Sequence, residues 1–409
     1  MEAYFGLLLI GVLAFVILWA EGALKTKAAL FTAAGLILAA MVLRGLCLEH
    51  ETLDYQNFLT RWVRTIREQG GFEALRWNIG NYNVPYLYFL ALFSYSSIRD
   101  LYLIKLLSIL FDVLLAWGVM RLIYCFTDSA KKVLAAFFVT LFLPTVVLNG
   151  AYWGQCDSIY GAFAVWSLYF ALKEKPIASM CMIALSFAFK LQAVFLMPVF
   201  LIFLFARKMK WWHLVFFPIT YVVTVLPAVA AGRPFKSTLL LYFNQADTVG
   251  GGLNYNSSSM FAFLRGAENT ETLSRLGIAA AFVFLLLLFL FCFLQRRRLD
   301  DKVLLVCSLL ICVAVPFLLP HMHDRYFFIA DVLSVAFAFV FVKLVHVPVL
   351  VSFASLMGYH AYLTGRWFLD RPQSLAWGAC ALLIVLFTLI PLLMVLCSPE
   401  EQTPGKRKR

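Results

Sequence analysis

A carboxylate placed a few residues beyond a long apolar run can take the proton from an incoming hydroxyl. The segment "CLEHETLDYQNFLTRW", Cys47 to Trp62, offers one in Asp54, beside Tyr55. A solvated helix cap is the competing reading of Asp54, and for Glu49 and Glu51 it is the preferred one. In "LPTVVLNGAYWGQCDSIYGAF", Asn149, Gln155 and Asp157 flank Trp153 and Gly154 at a helix junction loosened by Pro144 and Gly150. Polar groups at membrane depth are costly, so Gln155 and Asp157 are candidates for positioning a substrate, with Asp157 also suited to cap the helix that follows. "LSFAFKLQAVFLMP" sets Lys190 and Gln192 in an apolar stretch, where a lysine needs a water boundary or an anion such as phosphate; snorkelling is the alternative. Finally, "LLPHMHDRYFF" brings His321, His323, Asp324, Arg325 and Tyr326 to the start of a helix, where an arginine can hold a phosphate bidentately. His321, His323 and Asp324 lack a further ligand at a helical offset, so no metal is expected there. Lys105 and Asp112, seven residues apart, share one helix face and read as an intramembrane pair, structural or functional.

The elements that must carry these groups are membrane helices. Of 409 residues, 63% are hydrophobic and 14% charged, far outside the soluble globular range of about 45–50% apolar and 25% charged. The fold class is therefore an all-α polytopic membrane protein. The run from Tyr4 to Leu24 lacks a basic start and a small-residue cleavage site and reads as a retained helix. The 9 cysteines stand singly, which argues against a zinc site or a disulfide framework. The net charge of +12 resides in short clusters between apolar runs, the pattern of positive-inside loops against a lipid bilayer and not of nucleic-acid binding.

Spans are expected near 4–22, 28–48, 101–124, 132–150, 157–173, 211–231, 276–295, 302–319, 325–345, 347–364 and 375–397. The clusters "KTK" at 25–27, "KK" at 131–132, Lys173 with Lys175, "RKMK" at 207–210, "RRR" at 296–298 and the terminal "KRKR" all face the cytoplasm in one topology. It requires 85–97 to be re-entrant or interfacial and 177–206 to be two short helices meeting at "FKLQ". About 13 crossings follow, with the N-terminus outside, the C-terminus inside, and all four polar clusters on the outer face. Residues 1–397 form a single transmembrane domain. Its outer loop 49–84 carries amphipathic helices with Phe58, Trp62, Ile66, Phe72 and Leu75 at near-helical spacing. The Gly-rich loop 232–275 suits a lid, and 398–409 is a basic cytoplasmic tail. Walker A, GxGxxG, GxSxG and HExxH patterns are absent, so energy must come from an activated substrate or a gradient.

An acid in the first outer loop, amphipathic helices, then "NYNVPYLY", "GAYWGQCDSIYG", "FKLQAVFLMP" and "HMHDRYFF" in that order resemble the bacterial mannosyltransferase-like members of the GT-C superfamily. The resemblance implies a GT-C-like fold and an enzyme that moves a hexose, mannose or glucose, from a polyprenyl-phosphate-sugar donor. The acceptor would be a glycan, a lipid or a protein on the extracytoplasmic side of a bacterial plasma membrane. It maps the general base onto Asp54 and the phosphate-binding cations onto Lys190 and Arg325, leaving Gln155, Asp157, Gln192, His321, His323 and Tyr326 to position donor or acceptor. The expected reaction inverts the anomeric centre and uses no metal or other cofactor. A lipid-linked sugar flippase or transporter is the competing class, since broken helices and intramembrane charges suit it as well.

Overall fold

The structure, a computed structural model, describes residues 1–242 and 250–398. The basic tail from 399 onwards and part of the Gly-rich loop lie outside the described residues. Long apolar runs become helices because only a helix satisfies its own backbone where water is absent. In chain order they are α1 (Glu2–Ala20), α2 (Lys27–Gly45), α3 (Thr60–Glu68), α4 (Val84–Ser94), α5 (Asp100–Ile123), α6 (Ala130–Leu141), α7 (Pro144–Val147), α8 (Asp157–Leu172), α9 (Pro176–Phe189) and α10 (Val199–Phe205). These are followed by α11 (Phe216–Ala230), α12 (Phe235–Leu239), α13 (Thr270–Leu294), α14 (Asp301–Leu318), α15 (Phe328–Val340), α16 (His346–Thr364) and α17 (Ser374–Leu396). Two short strands, β1 (Asn254–Tyr255) and β2 (Met322–His323), pair in parallel.

Among the described residues, 8 helices are long and apolar enough to cross a membrane, or 9 if the bent pair 130–141 and 144–153 is one span. The expected count of about 13 exceeds this because it includes α8, α9, α10 and α15, which run to 16, 14, 7 and 13 residues. On length alone these fall short of the roughly 20 residues a straight crossing needs. The core lies around α14 and α5, whose apolar windows are 83% and 72% buried, against 22% for α13.

Two features of this core differ from the pairing expected between Lys105 and Asp112. Asp112 pairs instead with Arg44 of α2, whose Nη2 lies 2.9 Å from Asp112 Oδ2. The Arg44 Nη2 also donates to the Leu141 carbonyl at 2.8 Å, and the Ser158 hydroxyl donates to Asp112 Oδ1 at 2.5 Å. Both ions are fully buried, and these bonds offset the desolvation that burial imposes. Lys105 turns the other way and donates to the carbonyls of Cys47 and His50, each at 2.6 Å. It thereby closes the exposed carbonyls beyond α2 and pins the loop that leads to Asp54.

The connections sort to two ends. Arg121 pairs with Glu21 at 3.0 Å, and Lys208 with Asp301 at 2.8 Å and Glu174 at 3.5 Å. These contacts gather the basic connections after α1, α5, α8, α10 and α13 at one end of the bundle. In the first outer loop, Leu59, Val63 and Ile66 form the buried face, and the chain turns at Gly70 and Gly71 with φ of +86° and +70°. Phe58 and Phe72, expected on the apolar face, are 49% and 44% exposed.

Candidate active site

Four segments far apart in the sequence meet at the end opposite the basic connections. Asp54 begins a π-helical turn at Tyr55–Leu59, and Trp153 ends a second one at Leu148–Trp153. Such turns widen the backbone and re-aim side chains, and they are frequent at functional sites. Gly154, with φ +80°, then reverses the chain so that Gln155 and Asp157 follow Trp153 into the same region. Lys190 sits in extended backbone (φ −154°, ψ 133°) between α9 and the next helical turn, where the sequence places the junction of two short helices. Arg325 comes from the turn between β2 and α15.

Asp54 is held from three directions. Its Oδ2 accepts from the Trp153 indole at 2.9 Å and from Gln155 Nε2 at 2.6 Å, and its Oδ1 accepts from the Tyr362 hydroxyl at 2.6 Å. A carboxylate has about four acceptor positions, so three bonds leave one open. The Asp54 side chain is 19% exposed, so that position is not sealed off. Its loop is fixed as well: Thr52 donates to the Trp153 carbonyl at 3.0 Å and His50 stacks on Tyr152 at 3.8 Å. Glu49 and Glu51, expected to be merely solvated, pair with Arg99.

Arg325 stands among three carboxylates without a hydrogen bond to any of them. Its nitrogens lie 3.8 Å from Asp54, 3.8 Å from Asp157 and 3.5 Å from Asp324. Its Nε is buried and has no hydrogen-bond partner among the described residues, while the guanidinium lies 5.1 Å from the centre of the Trp153 ring. The cation is held by charge and by an aromatic face, with donors still to satisfy. Lys190 pairs with Asp157, which also accepts from Asn149 Nδ2 at 2.6 Å. Tyr82 and Tyr160 present ring faces to the Lys190 ammonium at 5.9 and 5.8 Å. Tyr82 also donates to Gln155 Oε1 at 3.0 Å, so one chain of contacts runs from Lys190 to Asp54.

The connecting segment between α14 and α15 contains two perturbed groups. Burial pushes the Asp324 carboxyl up to about 7, opposed by the Arg325 charge and reinforced by Asp54 and Asp157. Burial, with Arg325 and Lys190 nearby, lowers His323 to about 4, so its imidazole is neutral at pH 7. His323 stacks on Tyr255 at 4.7 Å and meets Tyr326 at 5.2 Å.

Of the residues singled out in the sequence, Asp54, Gln155, Asp157, Lys190 and Arg325 therefore share one cluster, with His323 along its edge. Gln192 hydrogen-bonds with the Tyr326 hydroxyl. His321 is elsewhere: its Nδ1 lies 2.7 Å from the Gly252 carbonyl and its Nε2 3.1 Å from Ser274, so it ties the Gly-rich loop to α13. Tyr362 and Trp153 were missed as partners of Asp54. Tyr362 lies 308 positions away from Asp54, and Trp153 reads locally as one more apolar residue.

The model of glycosyltransferase family 87 matches residues 81–320. This span contains Gln155, Asp157 and Lys190, and ends just before the turn that carries Arg325. Comparison with curated proteins returns no match. With more than half of its length matched, this membrane-embedded, all-helical chain belongs to glycosyltransferase family 87, and it is a GT-C-type glycosyltransferase.

Proposed function

We propose that the protein transfers a hexose, mannose or glucose, from a polyprenyl-phosphate-sugar donor to an acceptor hydroxyl with inversion at the anomeric carbon. The observation that carries this reading is the grouping of one held carboxylate, Asp54, with two cations, Arg325 and Lys190, that still have donors to offer. The acceptor hydroxyl donates to the open position on Asp54 and its oxygen attacks the anomeric carbon. The bond from that carbon to the phosphate oxygen breaks, and the proton passes to the Asp54 carboxylate. The departing lipid phosphate gains negative charge as it leaves, and Arg325 with Lys190 stabilises that charge in a site of low dielectric. Asp157, itself bonded by Asn149, holds Lys190, Gln155 orients Asp54, and Tyr326 with Gln192 and His323 borders the donor. Charge neutralisation by two side chains provides what a metal would otherwise supply.

The same reading places the site outside the cell, on the extracytoplasmic face of a bacterial plasma membrane. Its support is the gathering of the basic connections at the opposite end, which the positive-inside rule assigns to the cytoplasm. The donor's chain would lie along Phe89, Phe189 and Phe163, whose rings contact one another in series at 6.1 and 5.7 Å.

The test is transfer from a labelled polyprenyl-phosphate hexose by purified protein in detergent. Asp54→Asn is expected to lower kcat by roughly 10²–10⁴ while leaving donor binding in place, the range for loss of a general base. Normal turnover in Asp54→Asn removes the base assignment. Lipid movement without cleavage of the sugar–phosphate bond would favour a flippase instead.

A further inference from the structure

Apart from the reaction centre, a cavity of about 200 Å³ lies between the 253–270 segment and the start of α17. Both of its walls are joined to the candidate active site. Asn254 and Asn256 belong to the segment that pairs with Met322 and His323, two residues before Arg325. The opposite wall continues from α16, where Tyr362 bonds Asp54 five positions before Trp367. Both walls of the cavity are thus continuous in the chain with segments that reach the candidate active site.

Its chemistry is one-sided. Arg265 lines it, with its guanidinium 4.4 Å from the centre of the Trp367 ring and no ion-pair partner among the described residues. A guanidinium over an indole face can keep its fork of donors for a planar or tetrahedral oxyanion. The Trp367 N–H is buried and without a hydrogen-bond partner among the described residues. Asn256, held at φ +59°, and Thr270 add an amide and a hydroxyl to the lining, whereas among the described residues no acidic side chain lines the cavity. Arg371, in the adjoining hollow, is likewise without an ion-pair partner among the described residues. An unpaired guanidinium beside amides and a hydroxyl, in a space about the size of one monosaccharide, calls for a ligand rich in oxygen and carrying negative charge.

We propose that this cavity seats an oxyanion-bearing sugar unit of the acceptor, with Arg265, backed by Trp367, gripping its carboxylate or phosphate and Asn256 and Thr270 bonding its other oxygens. The proposal rests on the reading of Asp54 as the reacting end only for the direction of approach. The binding itself is independent of turnover.

The experiment measures binding to the full-length protein in detergent, without donor, by calorimetry. The probes are a galacturonate trisaccharide, its carboxyl-reduced neutral counterpart and a hexose 6-phosphate. Binding of either acidic probe, with the neutral one at least about tenfold weaker, is expected, and which acid binds identifies the source of the oxyanion. Arg265→Gln should weaken the acidic probe about tenfold, the loss typical of a charge-assisted bond, and Arg265→Lys should recover only part of it. Equal binding of acidic and neutral probes, no binding of any probe, or an unchanged affinity in Arg265→Gln overturns the proposal. So does an Arg265→Gln protein that binds the probes normally but retains less anionic lipid in nanodiscs, which would make the cavity a headgroup site. Because no turnover is involved, an active Asp54→Asn enzyme would leave this result standing.

Discussion

Asp324→Asn perturbs the charge balance around Arg325 without changing its shape. With every group ionised, three carboxylates (Asp54, Asp157 and Asp324) face two cations (Arg325 and Lys190), and the cluster carries one surplus negative charge. An anionic donor enters more readily when that surplus is gone, and protonation of Asp324 removes it. The carboxyl is 3% exposed, faces Arg325, Asp54 and Asp157, and is pushed by burial up to about 7. Between its ordinary value near 4 and 7, the folded protein keeps a proton that the unfolded chain has lost. The associated stability is therefore complete below about pH 4 and is lost as pH rises through 7. A displacement of about three units corresponds to roughly 4 kcal/mol at most. Donor binding should follow the same titration. A phosphodiester donor does not titrate between pH 6 and 8, so a rise in donor KM over that window reports the protein. The expected rise is up to about tenfold per pH unit above 7, the limit for uptake of one proton. In Asp324→Asn the donor KM should be flat and, at pH 8, about tenfold below that of the natural protein. The assay is initial-rate transfer in detergent across pH 6–8.5, read beside the thermal unfolding midpoint at each pH. Parallel KM curves for the two proteins would refute the reasoning, whatever happens to kcat.

Two further perturbations test the scaffold. Arg44→Leu strands Asp112 as a buried, unpaired charge and should cost about 3–5 kcal/mol, whereas the double replacement Arg44→Leu with Asp112→Leu should recover much of it; equal thermal midpoints for natural and single-variant proteins would contradict this. Gly358→Ala puts a Cβ 2.4 Å from the Asn256 carbonyl oxygen and 3.0 Å from the Asp324 Cα, so backbone must move in the segment that ends at Arg325. Transfer should fall by about tenfold, as expected for a misplacement smaller than the 1 Å that costs about a hundredfold, and an unaltered rate would mean that β1 yields freely.

What could be read from the sequence was whatever broke an apolar pattern. Lys190 interrupts a stretch that could otherwise be one long helix, and the chain does break there into extended backbone. Gln155 and Asp157 intrude in the same way beside Gly154, and they reach the cluster. The signal failed where a polar group resembled its surroundings. Arg44 ends a hydrophobic helix and looks like an ordinary interfacial cation, so nothing local reveals that it neutralises Asp112, 68 positions away. Lys105 and Asp112 share a helix face, which suggested a pair, yet seven residues along a helix is about 10 Å. That separation is too long for a direct ion pair, so each found a partner on another element.

His321 and Tyr362 mark the two kinds of error at the site itself. His321 belongs to a motif that does contain Arg325 of the cluster, and proximity in sequence suggests proximity in space. Its φ of +62° and the pairing of β2 with β1 instead turn it toward Gly252 and Ser274. Tyr362 is one of several polar residues near the end of α16, with nothing local to set it apart from Tyr359, His360 and Thr364, but it stacks on Trp153 at 4.4 Å with an interplanar angle of 15° and so reaches Asp54 with its hydroxyl. Which of the hydroxyls on α16 meets Asp54 becomes visible only once the helix is packed against the turn that carries Trp153. The orientation of Asp54 thus depends on contacts formed across nearly the whole chain. Changes at that packing surface should reach kcat before they reach stability, because a bond to a carboxylate that stays partly exposed contributes little to folding while a small misalignment of a base is costly.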